Sequence, residues 1–215
     1  RAAAAYIEGL MNFERRPRFE YSRLDLAPIQ GLLAAVGHPE RGMSIVHVAG
    51  SKGKGSTCLF AEAILSAAGE RVGTFTSPHL ESWTERFRID GQPVVGSELV
   101  AAIDSLRPHV DAMRHDRPDA GPTFFDVTTA AGLLLFARAG VDRVVLEVGL
   151  GGRLDSTNVV APAVTCITSI ELEHTDKLGP TEAAIAGEKA GILKPGVPAV
   201  LGSLHADADE VIRKR

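Results

Sequence analysis

The stretch HVAGSKGKGST, residues 47–57, combines residue types that bind phosphate. Glycines alternate with Lys52 and Lys54 directly after an apolar run, and a segment with helical character follows. A strand, a glycine turn, a lysine and a helix present backbone N–H groups and a positive helix N-terminus to phosphate oxygens. The stretch therefore predicts a phosphate-binding loop, and its alternative is a tight strand-to-helix turn without a ligand.

The spacing of this stretch departs from the common phosphate-loop motif. The pattern G-x-x-x-x-G-K-[ST] would need a glycine at Val48 and a hydroxyl at Gly55, whereas the hydroxyls follow at Ser56 and Thr57. A dinucleotide motif fails as well, because Cys58 stands where the third glycine is required. The loop alone favours mononucleotide binding over a tight turn without a ligand.

The elements around the loop alternate between strands and helices. The apolar patterns predict strands over 43–50, 71–76, 142–150, 163–170 and 197–202, and helices over 22–36, 56–68, 97–115, 123–139 and 181–193. Residues 77–93 are expected to form a long polar loop with a short strand or hairpin, and the last ten residues look like part of a helix. This order predicts an α/β fold with a mostly parallel sheet flanked by helices, and ligands at the carboxyl ends of the strands.

Composition narrows the class of protein. The chain has 215 residues, with 27 acidic against 23 basic side chains and no basic stripe, which argues against a nucleic-acid partner. Its two cysteines are far apart and are expected to be free thiols of a reducing compartment. Neither a signal peptide nor an apolar run of membrane-spanning length is found, so we expect a cytoplasmic protein without a membrane partner.

Four further segments follow the loop in a fixed order: TFTSPHLESWTERFRIDG, LEVGLGGRLDSTN, SIELEHTDKLG and EKAGILKPGVP. Together with HVAGSKGKGST they resemble the folylpolyglutamate synthase and dihydrofolate synthase family of the Mur ligase superfamily, over residues 44–202. That family's loop is typically G-T-N-G-K-G-[ST], which matches the unusual spacing. The resemblance implies a P-loop NTP-binding, Mur-ligase-like central domain.

The resemblance also implies an activity. Family members use ATP to join glutamate to dihydropteroate or to the γ-carboxylate of a folate, through an acyl phosphate. The chemistry needs charge neutralisation and in-line positioning more than a protein nucleophile. Two other functions stay open: a Mur-type ligase acting on a cell-wall precursor, and a nucleotide-binding module without catalysis.

The resemblance assigns the nucleotide and metal residues. Lys54 is expected to contact the outer phosphates of ATP, and two Mg²⁺ ions are expected beside it. Ser77 and Glu147 would hold the first ion, and His174 with a carbamylated Lys189 the second. The expected catalytic residues are Lys54, Glu147, His174 and Lys189, and the expected nucleotide-binding residues are Gly50, Ser51, Lys52, Gly53, Lys54, Gly55 and Ser56.

Three of these residues also have plain structural interpretations. Glu147 ends a buried strand, where an ionised carboxylate is costly unless a cation lies next to it, so a paired structural acid is its alternative. His174 could be an ordinary loop histidine, and Lys189 an ordinary helix lysine whose ammonium would repel metal ions. Carbamylation of Lys189 would replace that positive charge by a negative one.

The pterin side of the substrate is assigned in the same way. Thr123, Phe125 and Asp155 match the family's pterin-binding positions, and an aromatic ring at Phe125 offers a stacking face. The alternative is that Phe124 and Phe125 are core residues at the start of a helix. Asp126 stands where the family usually has glutamate, which is a departure on the substrate side.

Family members continue into a second, Rossmann-like domain that helps to bind glutamate and adenine. We expect residues 1–215 to form a truncated ATP-binding domain without that C-terminal domain. Little or no ligase activity is then expected from this chain by itself. The parent protein is expected to be an active monomer whose substrates are ATP, glutamate and a pteroate or folate.

Overall fold

A computed structural model describes residues 2–14, 21, 24–118 and 120–215. Within this part of the chain one seven-stranded sheet forms, with the order β4-β3-β2-β5-β1-β6-β7. All neighbours pair in parallel except the hairpin of β3 and β4 and its pairing with β2. The strands are β1 (Ser44–Ala49), β2 (Val72–Phe75), β3 (Phe87–Ile89), β4 (Gln92–Pro93), β5 (Arg143–Glu147), β6 (Val164–Ile167) and β7 (Ala199–Leu201).

Helices cover both faces of the sheet, which confirms the predicted fold class. Valines of β1, β2 and β5 pack with Cys58 on one face, and Ile45, Val144 and Leu146 pack in the large core on the opposite face. The helices are α1 (Ala2–Glu8), α2 (Ala27–Ala35), α3 (Lys54–Ala67), α4 (Gly96–Asp116), α5 (Phe124–Ala139), α6 (Thr175–Leu178), α7 (Glu182–Lys189) and α8 (Ala206–Arg213). Among them, α3 belongs to the first face and α5 to the second.

Most predicted elements are confirmed, with shifted ends. The predicted helix 22–36 is shortened to α2, although residues 22 and 23 lie outside the described part of the chain. The polar loop 77–93 holds the expected hairpin after a 3-10 turn at Trp83–Arg86. The short helices α1 and α6 were not predicted, because neither has enough residues for a clear periodic pattern.

Helix α3 begins two residues earlier than the prediction of 56–68. Gly53 is its N-cap with φ 77°, a left-handed conformation that glycine adopts without steric cost, so Lys54 is the first helical residue. The glycine turn is therefore shorter than the sequence suggested. Consequently the first helical turn, rather than an extended loop, lies at the carboxyl end of β1.

Helix α5 is buried along most of its length, and its two ends are closely determined. At its start the Thr123 hydroxyl accepts from the Asp126 N–H, and Asp126 Oδ2 accepts from the Thr123 N–H at 2.8 Å, which is a capping box. At its end Gly140 adopts the left-handed conformation. Thr123 and Phe125 are thereby fixed at one edge of the large core.

Two further sequence expectations concern the whole chain. Cys58 and Cys166 are free thiols in the structure, as expected. Among the helices that the structure describes, none combines the length and the apolar character that crossing a membrane requires.

Candidate nucleotide and metal site

The turn between β1 and α3 is shaped by two glycines. Gly50 has φ 147°, and a Cβ atom there would lie 1.9 Å from Thr168 Oγ1, so only glycine fits. Gly53 then turns the chain into α3, whose first N–H groups have no acceptor within the helix. The turn therefore directs the N-terminus of a fourteen-residue helix toward the carboxyl edge of the sheet, a favourable place for an anion.

The segment after β6 holds this turn in place. Ser51 N donates to Ser169 O at 2.8 Å, and Lys52 N donates to Ser169 Oγ at 3.0 Å. Thr168 Oγ1 donates to Lys52 O at 2.6 Å. These bonds join the segment after β6 to the turn after β1, and β6 itself ends at Ile167 instead of extending to the predicted residue 170.

Two lysines meet at one carbonyl of the turn. Lys54 Nζ donates to Gly50 O at 3.0 Å, and Lys189 Nζ donates to the same oxygen at 2.8 Å. Lys189 is only 2% exposed and also forms an ion pair with Glu173 Oε1 at 2.7 Å. The predicted loop lysine and the predicted helix lysine are thus brought together.

Burial and pairing act in opposite directions on this ion pair. Burial lowers the pKa of Lys189, and the Glu173 carboxylate partly offsets that effect. For Glu173, burial alone would raise the pKa, but the hydrogen bond from Lys189 keeps it below its usual value. The sequence interpretation missed Glu173; its position directly before His174, in the segment after a buried strand, is the signal that could have found it.

Glu147 ends β5, the strand next to β1, and is 4% exposed. Its Oε2 accepts from Ser77 N at 2.9 Å, and a Cβ atom on Gly55 would lie 3.5 Å from its Oε1. Burial raises the pKa of Glu147, whereas the Ser77 N–H and the Lys54 charge act against that rise. Because position 55 is glycine, no side chain from that position covers the carboxylate.

A buried carboxylate with one N–H partner and one nearby lysine is suited to a hard cation. The part of the chain that the structure describes contains no group of three or more His, Cys, Asp or Glu side chains arranged as a metal cage. Mg²⁺ is commonly held by one or two carboxylates together with nucleotide phosphates and water. Glu147 fits such an ion, and Ser77 lies beside it through its backbone.

His174 lies apart from Glu147 in the segment that leads into α6. It is the exposed N-cap of α6 and has a left-handed backbone with φ 46°. Its electrostatic neighbours include Glu173 and Lys189, and the partial burial of its ring lowers its pKa. The structure therefore groups His174 with the Glu173–Lys189 pair, whereas Ser77 accompanies Glu147.

The predicted pterin residues surround the segment that follows β5. The Phe125 ring lies so close to Gly149 that a Cβ atom there would be 2.5 Å from its Cζ. Thr123 is engaged in the capping box of α5, and Asp126 Oδ1 accepts from Ser156 Oγ at 2.7 Å. Phe124 is buried beside Trp83, in agreement with the core interpretation for that residue.

Both carboxylate oxygens of Asp155 are occupied within the chain. Oδ2 accepts from the N–H groups of Gly149 and Leu150 at 3.0 and 2.9 Å, and Oδ1 accepts from the N–H and hydroxyl of Thr157. Asp155 is 4% exposed, and burial raises its pKa to about 6 in spite of these donors. The side chain is thus positioned to hold the loop 149–155 together.

A strand, a glycine turn, a helix N-terminus with its lysine, and a buried acid on the neighbouring strand together define a mononucleotide-binding α/β domain. The chain belongs to the Mur ligase family: the Mur ligase middle domain matches residues 48–209. The resemblance inferred from the five motifs is confirmed.

Known relatives extend this assignment. The dihydrofolate synthase/folylpolyglutamate synthase of Bacillus subtilis is 44% identical over 213 residues, which cover 98% of this chain and 47% of the relative. A solved FPGS–AMPPCP–folate complex aligns with a TM-score of 0.90 at 37% identity, over 99% of this chain and 50% of that one. Folylpolyglutamate synthase of Mycobacterium tuberculosis complexed with ADP aligns with a TM-score of 0.86 at 37% identity, over 99% and 48%. The chain therefore spans about half the length of the curated relatives it matches.

Proposed function

We propose that this chain is the nucleotide-binding part of an ATP-dependent ligase. The enzyme adds L-glutamate to dihydropteroate, to the γ-carboxylate of tetrahydrofolate, or to both, through an acyl phosphate. The observation on which this rests most is the buried Glu147 carboxylate beside the glycine turn, with Gly55 open between them. Relatives that carry the folylpolyglutamate synthase name, and a relative solved with AMPPCP and folate, support the same reaction.

The phosphates of ATP would occupy the N-terminus of α3. The first helical N–H groups supply donors, and Lys54 supplies a positive charge once its ammonium leaves Gly50 O. The turn residues Gly50, Ser51, Lys52 and Gly53, with Gly55 and Ser56, complete this site. Because the turn is already bonded to the segment after β6, little reorganisation is needed when the anion binds.

Glu147 and Ser77 are the residues proposed to hold a first Mg²⁺, and His174 and Lys189 a second. When bound, these ions would neutralise the negative charge that builds up on the transferred phosphoryl group. The acceptor carboxylate forms a bond to the γ-phosphorus of ATP as ADP leaves. The glutamate amine then attacks the acyl carbon, phosphate leaves, and the amine loses a proton to give the amide.

Lys189 is proposed to become carbamylated. Burial lowers its pKa, which increases the fraction of neutral amine that can attack CO₂. The nitrogen forms a bond to carbon and releases a proton, so an anionic carbamate replaces the ammonium. That anion would face the Glu173 carboxylate, which now accepts from Lys189 at 2.7 Å, so a cation must lie between the two anions.

Isotopically labelled bicarbonate tests this modification in the full-length protein. A carbamate carbon resonance is expected in the wild type and should be absent from the Lys189→Arg variant. Addition of Mg²⁺ and ATP should strengthen the signal. A wild-type spectrum identical to that of Lys189→Arg, with Mg²⁺ and ATP present, would contradict the proposal.

The pterin ring of the acceptor is proposed to bind at Phe125 and Thr123, next to the loop that Asp155 organises. We further propose that the enzyme acts as a monomer in the cytoplasm.

The alternative of a cell-wall ligase is less favoured, because the TSPHL and GLGGRLDSTN segments match the folate branch. For the 215-residue chain taken alone, nucleotide binding without catalysis is the second candidate function, because it spans about half of its relatives.

Turnover of the full-length protein tests the proposed reaction. ADP release with ATP, Mg²⁺ and glutamate is compared for dihydropteroate, tetrahydrofolate and a cell-wall nucleotide precursor. Turnover is expected with at least one pterin acceptor, and turnover with the cell-wall precursor alone would overturn the assignment. Lys54→Ala should abolish ADP release, whereas Lys214→Ala, at an exposed lysine paired with Glu210, should leave it unchanged.

A further inference from the structure

His47 is a fully buried imidazole on the central strand β1, three residues before Gly50. It lies on the same face of the strand as Ile45, the face that packs in the large core. Its Nε2 lies 2.8 Å from Thr157 Oγ1, which belongs to the 3-10 turn Ser156–Val159. The proposed reaction does not use this side chain, so its presence in an apolar core needs an explanation.

The direction of the hydrogen bonds around His47 follows from the donor count. The Thr157 hydroxyl has one proton and also contacts Asp155 Oδ1, a carboxylate oxygen that accepts it. Thr157 Oγ1 therefore accepts from His47, and His47 must carry its proton on Nε2. Burial, together with the charge of Lys194, lowers the pKa of His47 to about 3, so the imidazole stays neutral.

The other ring nitrogen of His47, Nδ1, forms no hydrogen bond in the described part of the chain that would offset the cost of burying it. Nδ1 is buried and finds no hydrogen-bond partner among the residues that the structure describes. A buried acceptor without a partner costs free energy that an apolar side chain of similar size would avoid. The Nε2–H donor to Thr157 is therefore the contact that distinguishes histidine from an apolar side chain at this position.

The hydrogen bonds continue from Asp155 to the predicted substrate side. Asp155 Oδ2 accepts from the N–H of Gly149 at 3.0 Å, and the Phe125 ring packs directly on Gly149. The chain of contacts thus leads from β1 through Thr157 and Asp155 to the backbone beneath an aromatic face. It also approaches Glu147, two residues before Gly149 on the same strand end.

We propose that His47 is a positioning residue for the acceptor substrate. By fixing the Thr157 hydroxyl, and through it Asp155, His47 holds the loop 149–155 under the Phe125 ring and sets the affinity for the acceptor's ring system. The inference deepens the proposed function and rests on it for the identity of the acceptor. ATP is expected to be affected little, because the glycine turn is held by Thr168 and Ser169 instead.

Two pairs of variants in the full-length protein test this role. His47→Leu and Thr157→Val remove the hydrogen bond, whereas His47→Gln keeps an N–H donor and Thr157→Ser keeps the hydroxyl. The disruptive variants should raise KM for the pterin acceptor about tenfold, with KM for ATP changed less than about twofold. The conservative variants should restore most of the acceptor affinity. His47→Leu combined with Thr157→Val should be no worse than Thr157→Val alone, because His47 acts through the Thr157 hydroxyl.

A second measurement does not depend on the reaction. Amide hydrogen exchange of Gly149 and Leu150 should accelerate in His47→Leu and Thr157→Val, while exchange in α3 stays unchanged. An equal rise of both KM values, or unchanged exchange at Gly149 and Leu150, would overturn the positioning role. Absence of wild-type turnover with every pterin acceptor would instead overturn the proposed function, since the exchange result is independent of it. If His47→Leu fails to fold, His47→Asn, whose shorter side chain cannot reach Thr157 Oγ1 in the same way, is compared with His47→Gln instead.

Discussion

At the scale of single residues, this chain keeps several acids in its interior. Asp126, Glu147 and Asp155 are each at most 4% exposed, and burial raises the pKa of each. They differ in their partners: both aspartates accept from hydroxyl and backbone donors, whereas Glu147 accepts from Ser77 N alone among the hydrogen bonds described. The aspartates therefore organise the loops, and Glu147 is the acid left for a cation.

The raised pKa of Asp155 predicts an unusual pH dependence of stability. The folded pKa of about 6 lies above the ordinary value of 3.8, so the stabilisation that comes from protonating Asp155 in the folded state is fully present below pH 3.8 and is lost as the pH rises through about 6. Lowering the pH from about 7 to about 5 should therefore stabilise the wild type relative to Asp155→Asn by about 1 kcal/mol. Denaturant unfolding of both proteins at the two pH values measures this difference.

The matched control is Asp104→Asn, at an exposed position of α4. Its free energy of unfolding should follow that of the wild type at both pH values. The free energy of unfolding of the wild type minus that of Asp155→Asn could instead become smaller at the lower pH. That result would show that the donors stabilise the carboxylate more than burial destabilises it.

At the scale of elements, the start of α3 determines where an anion can bind. Gly53 and Gly69 lie at opposite ends of this helix with φ of 77° and 87°, and a Cβ atom at either would meet nothing within 4 Å. Alanine at either position is therefore expected to cost backbone strain of about 1 kcal/mol without a steric clash. The two ends differ only in their relation to the proposed phosphate site.

Gly53→Ala and Gly69→Ala thus form a matched pair of variants. Both should lower the free energy of unfolding by similar amounts, and only Gly53→Ala should weaken ATP binding, by about tenfold or more. Calorimetric titration of ATP in the presence of Mg²⁺ measures the affinity. Equal affinities in the two variants would argue against phosphate binding at this helix end.

The sequence predicted the elements better than the contacts between them. Strands β1 and β5 could be read from apolar runs followed by polar residues, which is why the sequence interpretation singled out the turn after β1 and Glu147 at the end of β5. Glu173 and His47 were missed, because their partners Lys189 and Thr157 lie 16 and 110 positions away and no local pattern joins them. Asp155 was assigned to the pterin site from the sequence, and in the structure its carboxylate bonds to its own loop.

At the scale of the whole molecule, the outer side of α3 carries more large, exposed apolar side chains than any other helix in the described part of the chain. Phe60 and Ile64 are 70% and 69% exposed, one helical turn apart, and Leu59 beside them is 43% exposed. In the edge strand β7, Val200 is 56% exposed as well. Exposed apolar groups on a helix and on a sheet edge favour self-association of the 215-residue chain.

Replacing Phe60 and Ile64 by glutamine should reduce that self-association. Light scattering after size-exclusion chromatography should show less oligomer at high concentration, with the unfolding free energy changed by less than about 0.5 kcal/mol because both side chains are exposed. Val95→Gln, at another exposed apolar side chain, is the control for a general gain in polarity. An equal loss of oligomer in Val95→Gln, or no loss of oligomer in the double variant, would exclude the α3 surface as the site of self-association.

A crystal structure of the full-length protein with a non-hydrolysable ATP analogue and Mg²⁺ tests the central claim most directly. The phosphates should lie against the first turn of α3, with Lys54 Nζ moved from Gly50 O to a phosphate oxygen. The Glu147 carboxylate should bind Mg²⁺ directly or through water. A nucleotide bound elsewhere, or Glu147 turned away from every ion, would contradict the account.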